Sequence, residues 1–219
     1  YQTISNTSVR GTSHPGSVDP PPKVFPISDA NVTDWKSQVD KPETTTVGDI
    51  TNCVSTLGPR KIVGNVTFNS NCNVTVKSPI WITGNFTING NNTIQLDSSY
   101  GSTSGVIAVD GVVTLGTNNQ LRGAGVGSSL LMVLSTYDSI ANNGASAIIV
   151  NNTGNSGVYY ASRGIIEPGN HNTYKELTGW GIKLVNNSTI NYETGLSSTL
   201  FSSGPSGTYS LVKGTYQVK

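Results

Sequence analysis

One pattern returns along this chain, and its spacing restricts the fold more than any other feature. Gly64-Asn65-Val66-Thr67-Phe68 is followed by Asn71-Cys72-Asn73-Val74-Thr75-Val76. The same order recurs as Gly84-Asn85-Phe86-Thr87-Ile88 and then Asn91-Asn92-Thr93-Ile94-Gln95-Leu96. A looser copy covers 111–115 and 118–121, and a fourth fragment covers 186–192. A period of about 20 residues, with short alternating strands and Asn/Gly corners, marks a solenoid. Each copy is too small to bury an apolar face alone, so copies must stack. The expected fold class is all-β: a parallel β-solenoid (β-helix) with a short N-terminal capping α-helix.

Composition agrees and removes some function classes. Only 11% of residues are charged and the net charge is +1. A nucleic-acid partner would ask for a basic stripe, and none is present. The 25 glycines, with abundant Asn, Ser and Thr, suit turns and positive φ rather than helix interiors. No secretory leader is visible, and no apolar run reaches the ~18 residues of a membrane span. The longest, Leu130-Leu131-Met132-Val133-Leu134, is strand-sized. The chain therefore reads as mature or trimmed.

Four segments are expected. Residues 1–26 are a flexible Pro/Ser/Gly-rich arm that includes Pro20-Pro21-Pro22. Residues 27–48 hold a helical cap, with the helix over 28–41. Ser28 or Asp29 caps it, Ile27, Val32, Trp35 and Val39 form its stripe, and Pro42 ends it. Its expected place is over the open edge of the first coil. Residues 49–207 form the solenoid, interrupted by insertions at 97–104 and 137–144, and 208–219 form a C-terminal β segment or tail.

Cys53 and Cys72 lie close to one repeat period apart. Such residues sit on neighbouring coils, about 4.8 Å apart in the stacking direction, within reach of a disulfide. The alternative is a pair of buried free thiols.

The order of several stretches resembles the extracellular part of type IV pilin-like proteins from poorly cultured bacterial lineages. The stretches include Pro26-Ile27-Ser28-Asp29-Ala30, Leu57-Gly58-Pro59-Arg60-Lys61-Ile62-Val63-Gly64-Asn65 and Pro79-Ile80-Trp81-Ile82-Thr83-Gly84. Leu96-Asp97-Ser98-Ser99-Tyr100-Gly101, Thr178-Gly179-Trp180-Gly181 and Tyr192-Glu193-Thr194-Gly195-Leu196 continue it. The resemblance covers roughly residues 24–207 and implies a pilin helix followed by a β-solenoid. It implies a structural, adhesive head at the cell surface or pilus, partnered by other pilus or cell-surface subunits and by a glycan or host-cell receptor. Membrane anchoring is expected only through a segment ahead of residue 1. The family supplies no catalytic residue to carry over, and no cofactor is expected.

The rival class is a carbohydrate-binding or carbohydrate-cleaving β-helix, which needs carboxylates clustered on one face. The solenoid acids Asp97, Asp110, Asp138, Glu167, Glu176 and Glu193 are scattered. Asp97 and Asp110 flank the first insertion and are the one candidate pair; a calcium site there would need further oxygen ligands. His14 falls in the arm and His171 in an Asn/Gly corner, so no triad is expected. No metal site follows from two cysteines at this spacing. Gly123-Ala124-Gly125-Val126-Gly127 looks phosphate-loop-like but lacks the Lys-Ser/Thr end and the following helix. Aromatics gather in the last third. Tyr159, Tyr160 and Tyr174 are the candidates for contact with a sugar ring or protein partner; otherwise they fill the tapering core. A third reading is a free-standing adhesin with no pilus.

Overall fold

The repeat closes into a three-sided coil in a computed structural model that describes residues 25–151, 156–184, 200–202 and 208–210. Helix α1 (Asp29–Val39) precedes strand β1 (Thr45–Val47). The next coil is β2 (Thr56–Leu57), β3 (Arg60–Val63) and β4 (Val66–Phe68). It is followed by β5 (Asn73–Val76), β6 (Ile80–Ile82) and β7 (Phe86–Ile88), then by β8 (Thr93–Leu96), β9 (Gly105–Val109) and β10 (Val113–Leu115). The fourth coil is β11 (Gln120–Arg122), β12 (Leu131–Ser135) and β13 (Ser146–Val150). The long strands β14 (Ser156–Pro168) and β15 (Thr173–Ile182) each wrap a coil, and β16 (Leu200–Ser202) pairs antiparallel with β17 (Thr208–Ser210).

Every pairing between coils is parallel. The first face stacks β2, β5, β8, β11 and the start of β14. The second stacks β1, β3, β6, β9, β12 and the middle of β14. The third stacks β4, β7, β10, β13 and the end of β14. The protein is a parallel β-solenoid with one short N-terminal helix.

Period-two alternation decides what enters the core. Val66, Phe86, Val113, Ile148 and Ile166 are register partners in successive coils, and all are buried. Phe68, Ile88, Leu115 and Val150 form a second such ladder. Phe68 and Phe86 meet edge to face, with ring centroids 5.8 Å apart. Offset aromatic contacts of this kind add to simple area burial.

The corners explain the abundance of Asn and Gly. Between the second and third faces, Asp49 Oδ1 accepts the Asn65 backbone N–H at 2.7 Å, and Asn65 Oδ1 accepts that of Asn85 at 2.8 Å. Asn85 Oδ1 accepts that of Val112 at 2.8 Å. Gly84 lies so close to the coil beneath that an added Cβ would sit 2.6 Å from the Gly64 carbonyl oxygen. At the next corner Asn71, Asn91 and Asn118 have φ of 68°, 61° and 63°, a left-handed conformation that Asn tolerates. The asparagines that follow point inward: Asn92 Oδ1 accepts the Cys72 N–H at 2.6 Å, and Asn119 Oδ1 accepts that of Asn92 at 3.0 Å.

The helix is shorter than expected and lies elsewhere. It is opened by a capping box: the Asn31 N–H donates to Ser28 Oγ and the Ser28 N–H donates to Asn31 Oδ1. Pro42 starts a short 3-10 turn beyond its end. It does not cap the first coil. Val32 and Trp35 pack on Val106, Ala108, Met132, Leu134, Val158 and Tyr160, the outward residues of the second face. The physical reason is that β9 and β12 are buried on both sides, as their unbroken apolar runs require. The coil begins at Thr45, ahead of the expected 49, because β1 already pairs with β3. Phe25, assigned to the arm, belongs to the fold through an edge contact with Tyr160 at 6.1 Å. Residues 1–24 of the arm, Glu193 and the repeat fragment at 186–192 lie outside the described residues.

Candidate functional site

Two insertions fall at the same corner, between the first and second faces. In the regular coil Lys77-Ser78-Pro79 crosses from β5 to β6. Residues 97–104 make this crossing in the next coil, and 123–130 make it in the coil after that. The second loop rests on the first: Leu130 N–H donates to Ser104 Oγ at 2.8 Å, and Ser129 Oγ donates to the Thr103 carbonyl at 2.8 Å. Ser129 Oγ also accepts the Ala124 N–H at 2.9 Å. Gly123 is needed where the loop pinches shut, because a Cβ there would meet the Ser129 carbonyl oxygen at 1.9 Å.

In the next coil β14 turns this corner with no insertion, so the loop overhangs it. The step encloses a cleft of about 450 Å³. Arg122 and Gln95 are register partners on its first-face wall. Gly157 leaves bare backbone beside them, and Lys175 closes the far side. Lys175 owes its direction to a bulge: Gly157 pairs with Tyr174 but Val158 pairs with Glu176, so Lys175 is the extra residue. Bulges re-aim side chains in this way. Arg122 also donates to Gln120 Oε1, which fixes one edge of the guanidinium. Among the described lining residues the only charges are these two cations.

Elsewhere, the acids of the described solenoid are committed to structural contacts. Asp49 holds the Asn65 N–H, which keeps its carboxyl below the usual range. Asp97 caps the 3-10 turn and accepts from the Ser99 hydroxyl and N–H, again lowering its pKa. The Ala141 N–H, the charge of Arg163 at 2.6 Å and the Ile140 N–H lower that of Asp138. Asp110 accepts from Lys36 Nζ at 2.5 Å and Trp81 Nε1 at 2.9 Å, and Lys61 Nζ lies 4.1 Å from the Trp81 ring centroid. This cluster clamps the helix to the second face. Glu167 accepts from Ser146 Oγ and Lys183 Nζ, each at 3.0 Å. Burial pushes the Glu176 carboxyl up, partly offset by the Thr178 hydroxyl that donates to it at 2.7 Å. Asp97 and Asp110 stand at opposite ends of β9 with separate partners, so the candidate acid pair is not assembled.

The three tyrosines proposed for ligand contact need correction. Tyr159 and Tyr174 are fully buried, 6.0 Å apart edge to face. Tyr160 lies under the helix and donates to the Ile27 carbonyl at 2.6 Å. Tyr159 and Tyr174 fill the core of the last described coils, and burial raises the phenol pKa of both. Cys53 and Cys72 form a disulfide with Cα atoms 5.6 Å apart. His171 occupies an exposed corner with φ of 55°. No grouping of His, Cys, Asp and Glu suited to a metal occurs among the described residues. Sequence reasoning missed Gln95, Arg122 and Lys175. The available signal was the long gap from β11 to β12, which repeats the gap from β8 to β9.

Comparison with known proteins adds no family to this geometry. No family model, curated protein or solved structure matches the chain.

Proposed function

We propose that this protein is a non-catalytic structural and adhesive domain displayed outside the cell, as the exposed head of a pilin-like subunit. One observation supports the reading: each described solenoid carboxylate accepts a hydrogen bond from its own neighbouring backbone or side-chain donor, and the candidate pair Asp97 and Asp110 is not assembled. Glycoside chemistry needs two carboxylates facing one bond. The Cys53–Cys72 bridge supports an oxidising, extracytoplasmic setting. The pilin assignment rests on the resemblance of 24–207 and names other pilus or cell-surface subunits as partners.

Two measurements test this. Incubation with neutral and acidic polysaccharides should release no new reducing ends or unsaturated products. Turnover that disappears in Asp110→Asn while the fold is retained would establish the enzyme reading instead. Sheared surface filaments from expressing cells should carry the domain; its confinement to the filament-free supernatant would rule out the pilin role. The second reading, a carbohydrate-binding β-helix, is favoured specifically by the cleft beneath the 123–130 loop.

A further inference from the structure

We propose that the base of the solenoid is a self-association surface: two copies of this chain meet base to base, pairing their β1 edges antiparallel and setting Arg60 of each against Asp49 of the other. The inference is independent of the pilin reading and goes beyond it.

The first coil has no lid among the described residues. Strand β1 pairs there only with β3, and β2 only with β5, so the lower edge of each is open. Solenoid ends ordinarily need a cap, because a free ladder recruits other strands. Helix α1 is spent on the second face instead. Strand β1 is Thr45-Thr46-Val47, with no proline and no charge to blunt it, and Val47 is 80% exposed.

Arg60 dictates what the covering surface must bring. It opens β3 at the foot of the register column Ile80, Ile107, Val133 and Tyr159, all of which point into the core. A cation therefore ends an apolar inner ladder. Its Nη1 donates to Thr46 Oγ1 at 3.2 Å, which draws the guanidinium down toward the β1 edge. Its Nε is buried and has no acceptor among the described residues. No carboxylate meets it among the described ion pairs. An inward charge at a sheet end penalises any arriving strand that cannot neutralise it. The occupant must therefore carry an anion.

Asp49 is that anion. It stands at the foot of the corner ladder that continues through Asn65 and Asn85. Asn65 donates to it from its backbone and its side chain, and a carboxylate can accept more than these. A two-fold axis through Thr46, normal to the second face, joins the two β1 edges antiparallel. The reversal carries the corner after β1 of one copy beneath the start of β3 in the other. Asp49 occupies the first position and Arg60 the second, so the contact forms twice, as an isologous dimer requires. Residues 1–24 make a poorer occupant. Their one carboxylate is Asp19, joined to the fold through Pro20-Pro21-Pro22, which cannot donate to a ladder.

The test is analytical ultracentrifugation of the full chain over a range of concentrations. Expected is a monomer–dimer equilibrium that weakens with salt. Val47→Lys, at an exposed position, should weaken it at least tenfold without lowering the melting temperature. Asp49→Asn installs the residue of the regular corner ladder, so it keeps the fold and should weaken association roughly tenfold. Arg60→Glu and Asp49→Arg should each stay monomeric, with folding checked by circular dichroism. Mixed in equal amounts they should dimerise, because both contacts are then complementary. A monomer at every concentration would overturn the proposal. So would a dimer indifferent to Val47→Lys and Asp49→Asn, or two folded charge-reversal variants that ignore each other. A dimer lost in Asp19→Asn would make the arm the occupant, and one lost only in Trp180→Ser would place the contact at the opposite end; either result also overturns it.

Discussion

Phe86 has no exposed surface; it meets Val66 below it and Val113 above it in the third-face ladder, and the Phe68 ring edge-on. Truncation leaves a cavity that flanking coils cannot close without moving their own ladders. Phe86→Ala should cost about 3–5 kcal/mol in reversible denaturation. Glu176 behaves in the opposite sense. Its folded pKa is raised above the ordinary 4.5, chiefly by burial, so ionisation opposes folding. The stability it contributes while protonated is lost as pH rises from the ordinary carboxylate value through the folded one. Glu176→Gln should therefore raise the melting temperature at pH 7, and the gain should vanish below about pH 4; a gain independent of pH would contradict this origin. At this scale the inward residues of the two clearest repeats were legible, because alternation alone assigns them. The tyrosines were not. Tyr159 and Tyr160 are adjacent, so one must point in and one out, and only the helix over the outer one buries both.

An amphipathic helix announces that it has a face to bury, but not against what. Ser28, the Val32–Trp35–Val39 stripe and Pro42 made α1 readable within a few residues. Its docking surface was also written in the chain, as the runs Gly105-Val106-Ile107-Ala108-Val109 and Leu131-Met132-Val133-Leu134. Strands with one wet face do not look like this. Trp35→Ala removes the largest side chain between the helix and that surface. The expected loss is about 3–5 kcal/mol, with new binding of a hydrophobic dye as Met132 and Leu134 are uncovered. A stable variant that binds no dye would mean the outer face is covered without the helix. The insertions show the limit of repeat reading. The 97–104 interruption stood out against two tidy copies, whereas 123–130 was hidden by the irregularity of the third copy. Lys175 was beyond reach, since a bulge depends on the pairing register of β14 and β15.

For the molecule as a whole, the stacking of parallel strands and the disulfide follow from one period. Cys53 and Cys72 are 19 residues apart, and closing that loop removes unfolded-state entropy worth about 3 kcal/mol in the chain-entropy model. Reduction should lower the melting temperature accordingly, and native protein without reductant should take up no alkylating reagent. A coil whose layers touch only their neighbours would be expected to fray one layer at a time. Helix α1 changes that. Its 11 residues extend about 16 Å at 1.5 Å per residue, and its flanks reach from Tyr160 on β14, through Asp110 beside β9, to the Lys61–Asp40 ion pair on β3. It is a splint laid across the grain. Under a pull along the stacking axis, the load crosses several layers at once, so the rod should yield in one large step when the splint shears away rather than in a series of small ones.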